Sequence, residues 1–236
     1  MLDERILFPP VDLAIEGGIL AVGGDLSTAR LLLAYREGIF PWYSDGEPII
    51  WWSPDPRFVL IPGELKISRS MHKVMERGVF DVTFDRAFGD VIRHCGETKR
   101  PGQPGTWITD GMRGAYTELH HLGYAHSVEA WRDGELAGGL YGVTLGSCFF
   151  GESMFARESN SSKAALITLV RALKERDFSL IDSQVYTPHM ESLGAREIPR
   201  AEYLELLKKC LVHETLRGSW DGLAGKIVKN KNEVAP

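Results

Sequence analysis

Cysteine, long apolar runs and surplus positive charge are all scarce in this 236-residue chain. Its three cysteines, Cys95, Cys148 and Cys210, are odd in number and widely spaced. That excludes a disulfide framework and a CxxC metal knuckle, and it fits a reducing compartment. No apolar run approaches the ~18 residues that cross a bilayer. The opening MLDERILFPP is acidic and reaches proline within ten residues, unlike a secretory leader. A soluble, cytoplasmic protein with no membrane partner is therefore expected. Lysine and arginine number 27 against 32 acidic residues, a net charge of -5 with a pI near 5.8. This excludes a surface coated in basic charge for indiscriminate nucleic-acid binding, while leaving room for a local basic patch. What is present is ordinary globular composition, 44% hydrophobic and 25% charged, enough for one large domain or two smaller ones with a real core.

Residues 1–62 are rich in glycine, proline and aromatics and hold one clear helix, capped by Ser27, with Leu31, Leu32 and Tyr35 on its apolar face and Gly38 after its end. The following segment IFPWYSDGEPIIWWSPDPR (39–57) carries four prolines and three tryptophans. Proline breaks helices and ladders alike, so irregular chain clamped by large rings is expected there, serving as local core or as a binding site.

From about residue 65 the pattern is regular. A helix starts near Ser68, and VFDVTF (79–84) reads as a strand. Thr109 caps a helix with Met112, Ala115, Tyr116, Leu119 and Leu122 at helical spacing before Gly123. Three strand-like runs follow, HSVEAW (126–131), LAGGLYGV (136–143) and SCFFGE (147–152), the first two joined at Asp133-Gly134. Then come a long amphipathic helix over about 160–176, the strand LIDSQV (180–185), a short helix in TPHMESLG and another over 199–210. Antiparallel strands, a crossover helix and a further strand predict an α+β fold, a mixed sheet with packed helices in the order of the GNAT acyltransferase core. The expected division is a small α+β N-terminal domain over 1–62 and a GNAT-like catalytic domain over 63–236, with the tail after Gly225 disordered.

Within LIDSQV, Asp182 and Gln184 interrupt apolar residues two positions apart. If the strand is regular, both project from one face, roughly 6.5–7 Å apart along the chain. The bland reading is that they satisfy nearby backbone; the sharper one is a catalytic pair.

The motifs GGDLSTARLLLAYREGIFPW, WWSPDPR, ISRSM, GTWIT, AHSVEAW, GGLYGV, GESMF, LIDSQV and SLGAREIPR follow one another from about residue 6 to residue 204. In order and spacing the chain resembles the leucyl/phenylalanyl-tRNA–protein transferases. The resemblance implies transfer of Leu or Phe from aminoacyl-tRNA to the α-amino group of proteins beginning with Arg or Lys, marking them for bacterial N-end-rule degradation. An aminoacyl ester is already activated, so no ATP, metal, cofactor or covalent intermediate is expected; the need is for positioning and proton management. An α-amine with a pKa of about 7.7–8.0 is largely ammonium at neutral pH and cannot attack until a proton leaves.

By the same resemblance Asp182 and Gln184 are the catalytic pair and Glu152, at the end of its strand, is the acceptor-site acid. Either Glu152 or Asp182 could take the basic side chain, since charge-assisted pairs with Arg can be bidentate. The positions matching the family's donor pocket are Trp42, Trp107, Met154, Leu166, Leu169 and Ile181, with Leu140 where Met is common. Leu166 and Leu169 also serve the packing face of their helix.

For the tRNA body, Arg69, Lys73 and Arg77 fall at i, i+4 and i+8 and form a basic arc opposite Met71, Val74 and Met75. Glu76 departs from the basic character usual there in the family. His120-His121 lacks the i, i+4 spacing of a helical zinc pair, and Cys148, in an apolar strand, is expected to be inert. Two other classes remain open. An acyl-CoA N-acyltransferase would need a glycine-rich pyrophosphate loop, yet GESMFARESNSSKAAL has no glycine after Gly151. A non-enzymatic recogniser of basic N-termini would explain the acids and tryptophans but would not require the amide or the basic helix. A monomer is expected.

Overall fold

The computed structural model describes residues 1–98 and 106–223. The expectation of a disordered tail after Gly225 lies outside the described residues. Two sheets organise the chain. A three-stranded antiparallel sheet is built from β1 (Ile19–Val22), β2 (Phe40–Pro41) and β3 (Ile50–Trp52), with β3 in the middle. The segment 39–57 is thus not wholly irregular: its prolines stand at strand ends and turns, where no ladder hydrogen bond is lost. Trp51 is fully buried and donates its indole N–H to the Gly23 carbonyl at 2.9 Å. Between β1 and β2 runs α1 (Thr28–Arg36), capped by Ser27.

The large sheet has seven strands: β4 (Arg57–Leu60), β5 (Asp81–Phe84), β6 (Ala125–Arg132), β7 (Glu135–Leu145), β8 (Cys148–Ala156), β9 (Leu180–Asp182) and β10 (Arg196–Ile198). Their order is β10-β4-β9-β8-β7-β6-β5, antiparallel except for the β8–β9 pair. Parallel neighbours need a crossover, which α5 (Ser161–Lys174) provides. The sheets divide just before Arg57, ahead of the boundary expected at residue 62, because β4 pairs with both β9 and β10.

Alternate strand residues feed two cores. Val59, Tyr141, Phe150 and Leu180 face α1, α3 (Phe88–Glu97), α4 (Asp110–His121) and α7 (Arg200–Cys210). Leu60, Leu140, Phe149 and Ile181 face α5 and Met71 of α2 (Arg69–Glu76). The short α6 (Pro188–Glu191) closes the β9 end, capped by Thr187. α3 was not expected, although Phe88, Val91, Ile92 and Cys95 bury one face at helical spacing.

Candidate functional site

Pairing between β8 and β9 stops at Phe150 opposite Asp182. Past that point a cavity of about 620 Å³ opens, lined on its apolar side by Trp42, Trp107, Leu140, Met154, Leu166 and Ile181. Five of the six expected pocket residues therefore line one cavity. Leu169 is the exception. It is fully buried among α5's core contacts and takes no part in the lining. Its position three residues from Leu166 places it in the core beneath the cavity. Glu152 and Gln184 form a polar corner of the same cavity.

The residues LIDSQV do not form one regular strand. β9 ends at Asp182, and Gln184 adopts a left-handed backbone with φ +57. The acid and the amide consequently do not share a strand face. The Asp182 side chain is completely buried against Arg57 of β4. Its Oδ1 accepts from Arg57 Nε and from the Gln184 backbone N–H, both at 2.9 Å. Its Oδ2 accepts from Arg57 Nη2 at 2.6 Å and from the Tyr203 hydroxyl at 2.8 Å. Four donors fill the four lone-pair sites of a carboxylate. The guanidinium lies between the rings of Phe40 and Tyr203, 4.8 and 4.5 Å from their centroids, and Nη1 donates to the Gly38 carbonyl at 3.1 Å. Arg57 thereby ties α1 and β2 to the large sheet, and Asp182 holds the backbone of Gln184.

Glu152 is placed by a different irregularity. In the β7–β8 ladder Tyr141 opposes Ser153 and Gly142 opposes Gly151, so Glu152 is the extra residue of a bulge. It lies within β8, not at the strand's end as expected. A bulge bends the strand and re-aims a side chain. Gly142 is required opposite it, since an added Cβ would fall 2.2 Å from the Phe150 carbonyl oxygen. The half-buried Glu152 carboxylate accepts from Tyr35 at 2.7 Å (Oε1), from Tyr116 at 3.0 Å (Oε2) and from the Gln184 side-chain amide nitrogen at 3.3 Å. The two tyrosine hydroxyl oxygens also lie within hydrogen-bond reach of each other. Burial pushes the Glu152 carboxyl up to about 7, the tyrosine donors pull it down in part, and the opposite charges of Asp182 and Arg57 act against each other.

Arg57, Tyr203, Tyr35 and Tyr116 escaped the sequence reading. The tyrosines repeat with the apolar faces of their helices and look like core. Arg57 had one signal: an acid embedded in an apolar strand needs a buried cation, and WWSPDPR supplies one.

The other candidates are dispersed. Arg69 and Lys73 of α2 and Arg77 just beyond it are exposed, as is Glu76, while Met71 is buried and Val74 and Met75 pack on the α5 core. His120 stacks on Phe88 at 4.2 Å with Nδ1 2.8 Å from the Ala125 carbonyl. Cys148 is fully buried, and burial pushes its thiol well up, as fits an inert residue.

Residues 59–208 match the family described as Leucyl/phenylalanyl-tRNA protein transferase, and residues 24–55 match its N-terminal domain. The leucyl/phenylalanyl-tRNA–protein transferase of Syntrophus aciditrophicus is 62% identical over 219 residues, covering 93% of this chain and 92% of that protein. The same-named protein of Syntrophobacter fumaroxidans is 58% identical over 94% of each chain. That of an Anaeromyxobacter species is 56% identical over 95% of each. Among solved structures, L-PGS from Bacillus licheniformis aligns with 82% of this chain and 64% of that one at 12% identity, with a TM-score of 0.37.

Proposed function

Because this chain belongs to the leucyl/phenylalanyl-tRNA protein transferase family, we propose that it is an aminoacyltransferase moving Leu or Phe from aminoacyl-tRNA to the N-terminal Arg or Lys of acceptor proteins, marking them for N-end-rule degradation. The observation that carries this reading is the cavity itself, an apolar wall that ends in the Gln184–Glu152 corner. The donor side chain lies against Trp42, Trp107, Met154, Leu166 and Ile181. The ester carbonyl then faces the corner where the amine arrives. Gln184 donates through its amide nitrogen to Glu152, which leaves its side-chain oxygen to orient the amine. Asp182 acts behind it: with every lone pair engaged, it fixes the Gln184 backbone and does not touch substrate. Holding donor and acceptor together in this geometry supplies most of the acceleration such a reaction needs.

Arg69, Lys73 and Arg77 neutralise phosphates of the tRNA body, contacts that position without reading sequence. The large sheet and its crossover are read as a GNAT-like catalytic unit, the β1–β3 sheet with α1 as a smaller N-terminal unit, and the protein as a cytoplasmic monomer. The segment between β8 and α5 lacks the glycines of a CoA loop, which favours an aminoacyl ester over a thioester donor.

The test is incubation of the purified protein with radiolabelled Leu-tRNA and a peptide beginning with Arg. Leu-peptide is expected without ATP, CoA or added metal, and a requirement for acetyl-CoA would defeat the reading. Alanine at Arg69, Lys73 and Arg77 together should raise KM for Leu-tRNA and flatten its salt dependence, each lost contact removing a slope of about 0.7–0.9 in log K against log salt.

A further inference from the structure

The corner at Glu152 has an unusual proton inventory. Three oxygen-to-oxygen contacts join the Tyr35 hydroxyl, the Tyr116 hydroxyl and the carboxyl group of Glu152 into a triangle. Two hydroxyls bring only two hydrogens. While Glu152 is ionised, one side of the triangle therefore has no hydrogen in it. A proton on Oε1 closes the ring: Glu152 donates to Tyr35, Tyr35 to Tyr116, and Tyr116 to Oε2. Asp182 has the opposite inventory, with four donors already on its two oxygens.

Resting on the family reading above, we propose that Glu152 is the group that takes the proton from the attacking amine, with Tyr35 and Tyr116 as the positioning residues whose hydroxyls hold its carboxylate ready. The acceptor nitrogen forms a bond to the ester carbonyl carbon and the bond from that carbon to the ribose oxygen breaks. Of the three protons of the ammonium, one stays on the new peptide nitrogen, one passes to Glu152 and one ends on the ribose oxygen. Glu152 returns its proton to water before the next turnover. A carboxyl poised near 7 suits that duty, because a base works best when its pKa lies near the working pH. The groups facing it are Tyr35 from α1, Tyr116 from α4 with Tyr141 of β7 against it, Gln184, and the Asp182–Arg57 pair from β9 and β4, whose opposite charges largely offset.

Glu152→Gln keeps shape and hydrogen bonding but cannot take the proton. With Leu-tRNA and a peptide beginning with Arg, its kcat is expected to fall about 10²–10⁴-fold, the usual worth of a general base, while both KM values hold. Tyr35→Phe and Tyr116→Phe each remove a donor that favours the ionised carboxyl. They should move the rising limb of kcat/KM to higher pH with the same peptide, whose own amine titration is unchanged. A Glu152→Gln enzyme with normal kcat and a raised KM for the peptide would overturn the proposal and make the carboxylate a holder of the basic side chain. Phe variants with an unmoved limb would overturn the part given to the tyrosines. Absence of Leu-peptide from the wild-type enzyme is a separate outcome, which overturns the family reading itself.

Discussion

Asp182 and Glu152 stand on neighbouring strands of one sheet and live under opposite conditions. Asp182 is sealed from solvent, paired with a guanidinium and saturated with four donors. Glu152 borders the cavity, has hydroxyls and an amide but no cation against it, and sits near its neutralisation point. A buried charge is tolerable only when paired and hydrogen-bonded. Once so satisfied it has nothing left to offer a substrate. The contrast separates a saturated carboxylate from an unsaturated one: the ion pair belongs to Asp182, and Glu152, which has none among the described residues, is the residue proposed to act.

Four substitutions can break or sharpen that contrast. The largest effect is expected from Arg57→Met, which strands the Asp182 carboxylate and should cost about 3–5 kcal/mol in urea unfolding, the usual penalty for breaking a buried pair. A loss under 1 kcal/mol, as for an exposed pair, would mean that water reaches Asp182 after all.

Next is Glu152→Gln, followed as stability against pH. Folding raises the Glu152 carboxyl from 4.5 to about 7, so the folded state binds the extra proton between those values. Wild-type stability from this group is therefore full below pH 4.5 and falls as pH climbs through about 7. The variant lacks that decline, and its stability relative to wild type should rise across the window by up to about 3 kcal/mol. Parallel curves would show an ordinary exposed carboxyl.

Tyr203→Phe removes one of Asp182's four donors and should cost about 1–2 kcal/mol by thermal unfolding, with kcat for Leu transfer reduced far less than in Glu152→Gln. The smallest stability change is expected from Gln184→Gly, which relieves the left-handed backbone and should be neutral or stabilising by up to about 1 kcal/mol. Transfer should nevertheless be lost, since the orienting amide is gone. Strong destabilisation would place Gln184 with the scaffold.

Much of the fold was legible because it follows periodicity. The expected caps Ser27 and Thr109 each receive a backbone N–H, helices start after Ser68 and within TPHMESLG as expected, and Leu166 and Ile181 reach the cavity from elements whose apolar pattern is plain. The site was legible only as a set of residue types. Strand alternation put Asp182 and Gln184 on one face, but the left-handed turn at Gln184 and the bulge at Glu152 both break that period. Neither is encoded by propensity. Each depends on residues distant in sequence, Arg57 and Phe58 bonded beside the first and Gly142 leaving room across the ladder for the second. Tyr35 and Tyr116 were hidden for a related reason. Their rings are genuine core, and only their hydroxyls meet at Glu152.

The bulge also bears on how the gene can change. Strands ordinarily tolerate no shift in reading of their pattern, because one residue more or fewer turns every later side chain to the other face. β8 already accommodates one extra residue, Glu152. An in-frame deletion of that codon would leave Ser153 following Gly151 opposite an unbroken β7. The ladder would become more regular, and the enzyme is expected to keep its architecture and, on the proposal above, to lose its reaction. Few single-codon lesions are expected to be so quiet in a stability screen and so complete in an activity screen.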